Sequence, residues 1–147
     1  MPVSVSRRLG HGVAWLACVY GALLLVIGLW PTHVDQGIDV LTTWYGRWLL
    51  ERGLTPLQVY DLVEGAANVA MYVPLGVIVA AVLPRWRWWG AVAAGLVTST
   101  AIELAQAVAR PGRTAALIDV VHNTLGAAIG AALVLLALQL RRPARER

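Results

Sequence analysis

The sequence predicts an all-α membrane protein, a bundle of four transmembrane helices with a short interfacial helix in the first outer loop. Three observations predict it. Of 147 residues, 59% are hydrophobic and only 14% charged, with a mean hydropathy of +0.66, a composition unlike that of soluble domains. Four apolar stretches, at about 12–30, 62–83, 90–109 and 117–140, are long enough to cross a bilayer core of about 30 Å, which takes roughly 20 helical residues. None of them alternates polar and apolar residues as barrel strands would, so helices are the spanning form.

The first stretch follows Arg7 and Arg8, which could open a secretory signal. Its apolar run is longer than a usual signal core and ends in Leu29-Trp30-Pro31-Thr32, without a small-x-small cleavage site, so a retained signal anchor is expected. Cys18 is the single cysteine; it forms no disulfide within the chain and reads as a small packing residue.

The loop at 31–55 carries Ile38, Leu41, Trp44, Tyr45, Trp48 and Leu49 at helical spacing, with Asp39, Arg47, Glu51 and Arg52 off that stripe. This predicts a short helix lying along the outer membrane surface or lidding the bundle. Thr55-Pro56-Leu57-Gln58 is a helix start: Thr55 caps, Pro56 takes the first helical position and Gln58 completes a capping box. The second helix therefore begins near Pro56 and runs to about Leu83. Pro74 inside it removes the bond to the Ala70 carbonyl and predicts a kink. Pro111-Gly112 makes a tight turn between the third and fourth spans. With no repeat, low-complexity run or linker, the chain reads as one domain over 1–147.

All twelve basic residues are arginine. Eight of them, Arg7, Arg8, Arg85, Arg87, Arg141, Arg142, Arg145 and Arg147, fall on one side of the predicted layout; Arg47, Arg52, Arg110 and Arg113 fall on the other. The bias places both termini in the cytoplasm. The net charge of +4 then reflects topology and contact with anionic lipid. Nucleic-acid binding is excluded as a reading, because the arginines are scattered at span ends with no module to carry them. Trp86, Trp88 and Trp89 beside Arg85 and Arg87 form an inner interfacial belt, and Trp30 marks the outer end of the first span.

The candidate site comes from polar residues inside the spans, where each charge is expensive, on the order of 2.5–3.5 kcal/mol on insertion scales. Glu64 and Asn68 are four apart on the second helix, hence on one face. Glu103, Gln106 and Arg110 share a face of the third, and Asp119 and Asn123 a face of the fourth. Antiparallel topology puts all three sets at the outer ends of their helices, Glu103 lying about 10 Å of helix below Arg110. Three polar faces at one depth imply one shared cavity. The acids Glu64, Glu103 and Asp119 line it, and Arg110 and Arg113 stand at its mouth, where guanidinium forks suit carboxylate or phosphate. The plainer reading is an ion-pair network locking the helix ends, a role that apolar packing would serve better.

Gly126 and Gly130 form a small-xxx-small stripe that permits close helix approach, within the bundle or across a homodimer. His11 and His33 flank the first span, and His122 points about 100° away from the Asn123 face. No spacing suits a metal, and no cofactor is implied.

These residues resemble the VanZ-like family of bacterial membrane proteins. The likeness rests on Asn68-Val69-Ala70-Met71-Tyr72-Val73-Pro74-Leu75-Gly76 and on Glu103-x-x-Gln106, Arg113, Asp119-x-x-x-Asn123-x-x-Gly126-x-x-x-Gly130, over roughly 62–138. Tyr72 stands where the family often has phenylalanine, and Ala116 where many members carry an acid. Arg110 is not a firm part of the pattern. The resemblance implies a four-helix domain at the cell envelope, with helix packing through Pro74, Gly76, Gly126 and Gly130 and a link to teicoplanin-type glycopeptide resistance.

Three functions fit. The first is a non-enzymatic protein whose outward cavity binds a lipid headgroup or lipid-anchored molecule, such as an anionic or polyprenyl-phosphate lipid. Glu64, Asn68, Glu103, Gln106, Asp119 and Asn123 would orient it, with Arg110 and Arg113 holding its anion. The second is an enzyme on a lipid-linked substrate using Glu103 or Asp119 as acid or base, although no motif nucleophile accompanies them. The third, a small transporter, needs a polar path continuing inward. Beyond Asn68 and Asn123 only Gly76, Thr98, Ser99 and Thr100 interrupt the apolar runs, so the path is expected to stop.

Overall fold

The computed structural model describes residues 3–29, 39–109 and 117–141. Among them every regular element is helical: α1 (Val3–Leu29), a 3-10 turn at Val40–Thr42, α2 (Trp44–Glu51), α3 (Pro56–Val82), α4 (Arg87–Ala109) and α5 (Leu117–Leu140). By length and composition α3, α4 and α5 can each cross a membrane, and α1 contributes a shorter apolar stretch, Trp15–Leu29. The expected turn at Pro111-Gly112 and the anchor at Trp30 lie outside the described residues.

The helix starts follow local chemistry. The Thr55 Oγ1 accepts from the Gln58 N–H at 3.3 Å and the Gln58 Oε1 accepts from the Thr55 N–H at 2.8 Å, the reciprocal box that satisfies two otherwise orphaned donors. Helix α3 then continues through Pro74. At its other end the Arg87 guanidinium donates to the Ala80 carbonyl at 2.8 Å, covering one of the acceptors a helix end leaves open.

The loop departs from expectation. Its apolar stripe predicts one helix from Ile38 to Leu49, whereas the chain breaks at Thr43 into the 3-10 turn and α2; Ile38 itself lies outside the described residues. Two caps explain the break. The Asp39 Oδ1 accepts from the Leu41 N–H at 3.0 Å and the Thr43 Oγ1 from the Gly46 N–H at 3.1 Å, so short polar side chains out-compete a continuous helical ladder. Tyr60 of α3 donates its hydroxyl to the Asp39 carboxylate at 3.2 Å and ties the turn to the bundle. Trp44 and Trp48 remain exposed, and the Arg52 guanidinium stacks 3.4 Å from the centre of the Trp48 ring, a cation–π contact.

Helices α3 and α5 form the central pair. A Cβ on Gly126 would strike the Val69 carbonyl, one on Gly130 the Val73 carbonyl, and one on Gly76 the Ala127 carbonyl. The two backbones therefore touch, and the glycine stripe is used within the bundle. Helix α4 packs against both, its Gly95 facing the Ala127 methyl. Helix α1 leans on α3 and α4. Small residues fill one part of the core (Ala80, Ala91, Ala131), and Leu24, Tyr72, Leu75 and Ile102 fill another. The outer surface keeps large apolar side chains exposed, among them Val97, Leu104, Val108, Leu133 and Leu136, as a lipid-facing surface requires.

Candidate functional site

Six of the eight polar side chains singled out in the sequence line one cavity. Glu64 and Asn68 come from the first half of α3, Glu103 and Gln106 from the last turns of α4, and Asp119 and Asn123 from the start of α5. Alternating helix direction brings these segments to the end of the bundle that carries α2. The cavity measures about 100 Å³ and is closed further by Leu24 and Gly28 of α1, with Met71, Tyr72 and Ile102. The other two, Arg110 and Arg113, lie outside the described residues.

Burial grades the six. Glu64 is exposed, at the rim; Asn68 and Asp119 are half-buried; Glu103, Gln106 and Asn123 are buried. Glu103 keeps only 6% of its surface, so an ionisable group sits at the cavity's inner side, in a position structures seldom give to one without need.

Hydrogen bonds hold the wall in place. Asn68 donates through Nδ2 to the Asp119 Oδ1 at 3.0 Å, joining α3 to α5. Gln106 donates through Nε2 to the Gly28 carbonyl, joining α4 to α1. Asn123 donates through Nδ2 to the Ser99 Oγ at 2.8 Å, joining α5 to α4. The Tyr20 hydroxyl donates to the Met71 carbonyl at 2.7 Å. Four of the helix pairs around the cavity thus carry a polar tie, and the oxygens Gln106 Oε1 and Asn123 Oδ1 are left buried without a partner.

Sequence reasoning missed three contributors. Tyr72 and Ser99 extend the polar cluster deeper: the Tyr72 hydroxyl lies beside the hydroxyls of Thr98 and Ser99 without a well-formed bond to either. Both were findable by spacing, since Tyr72 follows Asn68 by four and Ser99 precedes Glu103 by four. The third, the Gly28 carbonyl, is a backbone group and has no sequence signal. His122 stays away from the cavity, as its phase predicts; its ring packs over Gly65 and lines a separate shallow groove with Gln58, Asp61 and Val69.

Among the described residues no group of three His, Cys, Asp or Glu side chains is placed to hold a metal ion. The arrangement suits recognition of a polar group by hydrogen bonds and charge in a low-dielectric setting, where each is stronger than in water.

A fold of this kind, apolar outside and polar in one internal cavity, defines a multi-pass membrane protein. The family model described as VanZ/LLP1 matches residues 14–138, and the chain belongs to that family. No curated protein and no solved structure matches the chain.

Proposed function

We propose that this VanZ/LLP1 protein lies in the bacterial inner membrane with four spans and both termini in the cytoplasm, and that its cavity faces outward to bind a lipid headgroup or a lipid-anchored molecule. One observation carries the reading: Glu64, Asn68, Glu103, Gln106, Asp119 and Asn123, from three helices, line a single cavity at one end of the bundle. A structural lock would close the space; here a cavity of about 100 Å³ remains, and the amide oxygens of Gln106 and Asn123 stay buried without a partner. Arg113, and Arg110 beside it in sequence, would hold the ligand's anionic part. Helix α2, with exposed Trp44 and Trp48, would rest at the membrane surface near the opening.

The test is native mass spectrometry of the purified chain beside an Arg113→Ala variant. A phospholipid or polyprenyl-phosphate adduct that is lost in the variant supports the reading. Two equally folded proteins without adducts would make the polar cluster an internal lock.

A second reading, an enzyme acting on a lipid-linked substrate, draws on the presence of three carboxylates in one cavity, because a pair of acids can divide acid and base roles. Any contribution to teicoplanin-type resistance would follow from either reading through the lipid engaged. Expression in a susceptible host, with the inhibitory concentration compared between wild type and Glu103→Gln, tests that link.

A further inference from the structure

Within the headgroup-binding reading, on which this inference rests, the cavity is too small for its ligand. It measures about 100 Å³, whereas pockets that enclose a drug-sized molecule run to roughly 300–1,000 Å³. A phosphorylated headgroup with the start of its chains belongs in the larger class, so a wall must move to admit it. Three of the four long helices are poor candidates. Gly76, Gly126 and Gly130 bring the backbones of α3 and α5 into contact, and Gly95 sets α4 against the Ala127 methyl. The bond from Asn123 to Ser99 ties α4 to α5 again. Parting these helices would open close small-residue packing and strand buried polar groups.

Helix α1 is held differently. Tyr20, Leu24 and Gly28, spaced four apart and hence on one face, make its seam with the bundle, and Leu24 is its one buried side chain among the described residues. Its neighbours Leu23, Leu25 and Val26 stay exposed. The helix rests on α3 and α4 and does not pack on α5. Its polar ties among the described residues are the Tyr20 hydroxyl on the Met71 carbonyl and the Gln106 amide on the Gly28 carbonyl, each a single neutral hydrogen bond, the weaker class. Neither carbonyl depends on its tie. Met71 lies inside the continuous helix α3, whose ladder serves it, and Gly28 lies in the last turn of α1, where carbonyls face outward. Leu24 and Gly28 both line the cavity, so displacement of this seam enlarges it directly.

We infer that α1 is the gate of the cavity: its part from Tyr20 to Leu29 swings away from α3 and α4 to admit the ligand, with Tyr20 and Gln106 as its latches. The described arrangement is the closed one. Gly28 lets the gate shut, since a Cβ there would lie 2.6 Å from Ile102 Cγ2.

The same closeness allows the gate to be locked. In a Cys18→Ser background, Gly28→Cys with Ile102→Cys sets two thiols face to face, close enough for a disulfide. The experiment is native mass spectrometry of this full-length protein, reduced and oxidised, with phosphatidylglycerol and with polyprenyl phosphate. The reduced form should carry the lipid adduct that the Cys18→Ser parent carries, and the oxidised form should lose it. Equal adducts in both forms overturn the gate, while the headgroup reading stands.

Spin-label distances decide the motion whether or not the cysteine pair is tolerated. Labels at Leu25→Cys on α1 and Val121→Cys on α5 report the gate, and labels at Leu104→Cys on α4 and Val121→Cys give the fixed reference; all three positions are exposed. Added lipid should shift the first distance by on the order of 5 Å and leave the second unchanged. Tyr20→Phe frees one latch without altering the cavity lining, and it should broaden the first distance before any lipid is added. One narrow α1–α5 distance throughout, in the parent, in Tyr20→Phe and with lipid, overturns the gate. If neither lipid binds even the Cys18→Ser parent, the headgroup reading falls on its own, and the Tyr20→Phe distances still decide whether α1 moves.

Discussion

Asn68 of α3 donates its side-chain amide to the carboxylate of Asp119 on α5 at 3.0 Å, beside the seam where Gly76, Gly126 and Gly130 bring the two backbones into contact. The bond fixes the direction of the acid at the cavity wall and of the amide at once. Asn68→Leu removes the only donor this pair contains and leaves a half-buried carboxylate short of a partner. A loss of about 1–3 kcal/mol is expected, read as a lower melting temperature in detergent. The double variant Asn68→Leu, Asp119→Leu should regain most of that loss, because neither polar group is then stranded.

Ser99 and Asn123 form the deeper tie between α4 and α5, at 2.8 Å. With Ser99→Ala, Asn123 loses the partner of its Nδ2 while its Oδ1 already lacks one. A buried amide unpaired at both ends costs more than a simple bond deletion, about 1–3 kcal/mol. Ser99→Thr keeps the hydroxyl, and its extra methyl tests the packing separately. Thermal melts of the two variants should rank Ser99→Ala below the parent, and Ser99→Thr differs from it through volume alone.

The glycines divide sharply. Gly126→Val and Gly130→Val each drive a side chain into a carbonyl of α3, which no rotamer avoids. Overpacking of this kind costs about 1–3 kcal/mol and often more, so folded yield in the membrane should collapse. Gly21→Ala is the contrast: nothing lies within 4 Å of the added methyl, and yield should hold or rise, since alanine favours helix by up to about 1 kcal/mol. Equal yields for Gly21→Ala and Gly130→Val would falsify the backbone contact.

Exposed aromatic anchors and cavity acids should separate in function. Trp86, Trp88 and Trp89 are exposed and touch nothing in the cavity. Their alanine variants should bind lipid as the parent does. Glu103→Ala or Asp119→Ala should reduce lipid adducts or folding, and indistinguishable behaviour of both would remove the shared site.

Orientation is open to a labelling experiment. In a Cys18→Ser background, Arg47→Cys should react with a membrane-impermeant maleimide in intact cells and Arg85→Cys only after lysis, following the arginine bias. The reverse pattern would turn the cavity inward.

Much of this was written in the sequence. Three long apolar helices and the shorter apolar stretch of α1 followed from apolar length, the start of α3 from Thr55 and Gln58, and the shared cavity from three pairs of polar residues at helical spacing combined with antiparallel order. Two kinds of feature escaped. The break at Thr43 is a contest between a stripe of large apolar residues and two short capping side chains, Asp39 and Thr43; periodicity registers the first and is blind to the second. The contribution of α1 escaped because it acts through a main-chain oxygen at Gly28, and backbone groups have no letter of their own.

That contribution has a further consequence. Among the described residues α1 rests on α3 and α4 and makes no packing contact with α5, although both helices border the cavity, α1 through Leu24 and Gly28 and α5 through Asp119 and Asn123. On that flank the chamber is bordered by two helices that do not pack on each other. On the headgroup-binding proposal, a lipid entering on that flank would arrive sideways from within the bilayer, its supply counted as a mole fraction in a two-dimensional fluid and not as a concentration in water. Occupancy would then respond to the composition of the membrane itself.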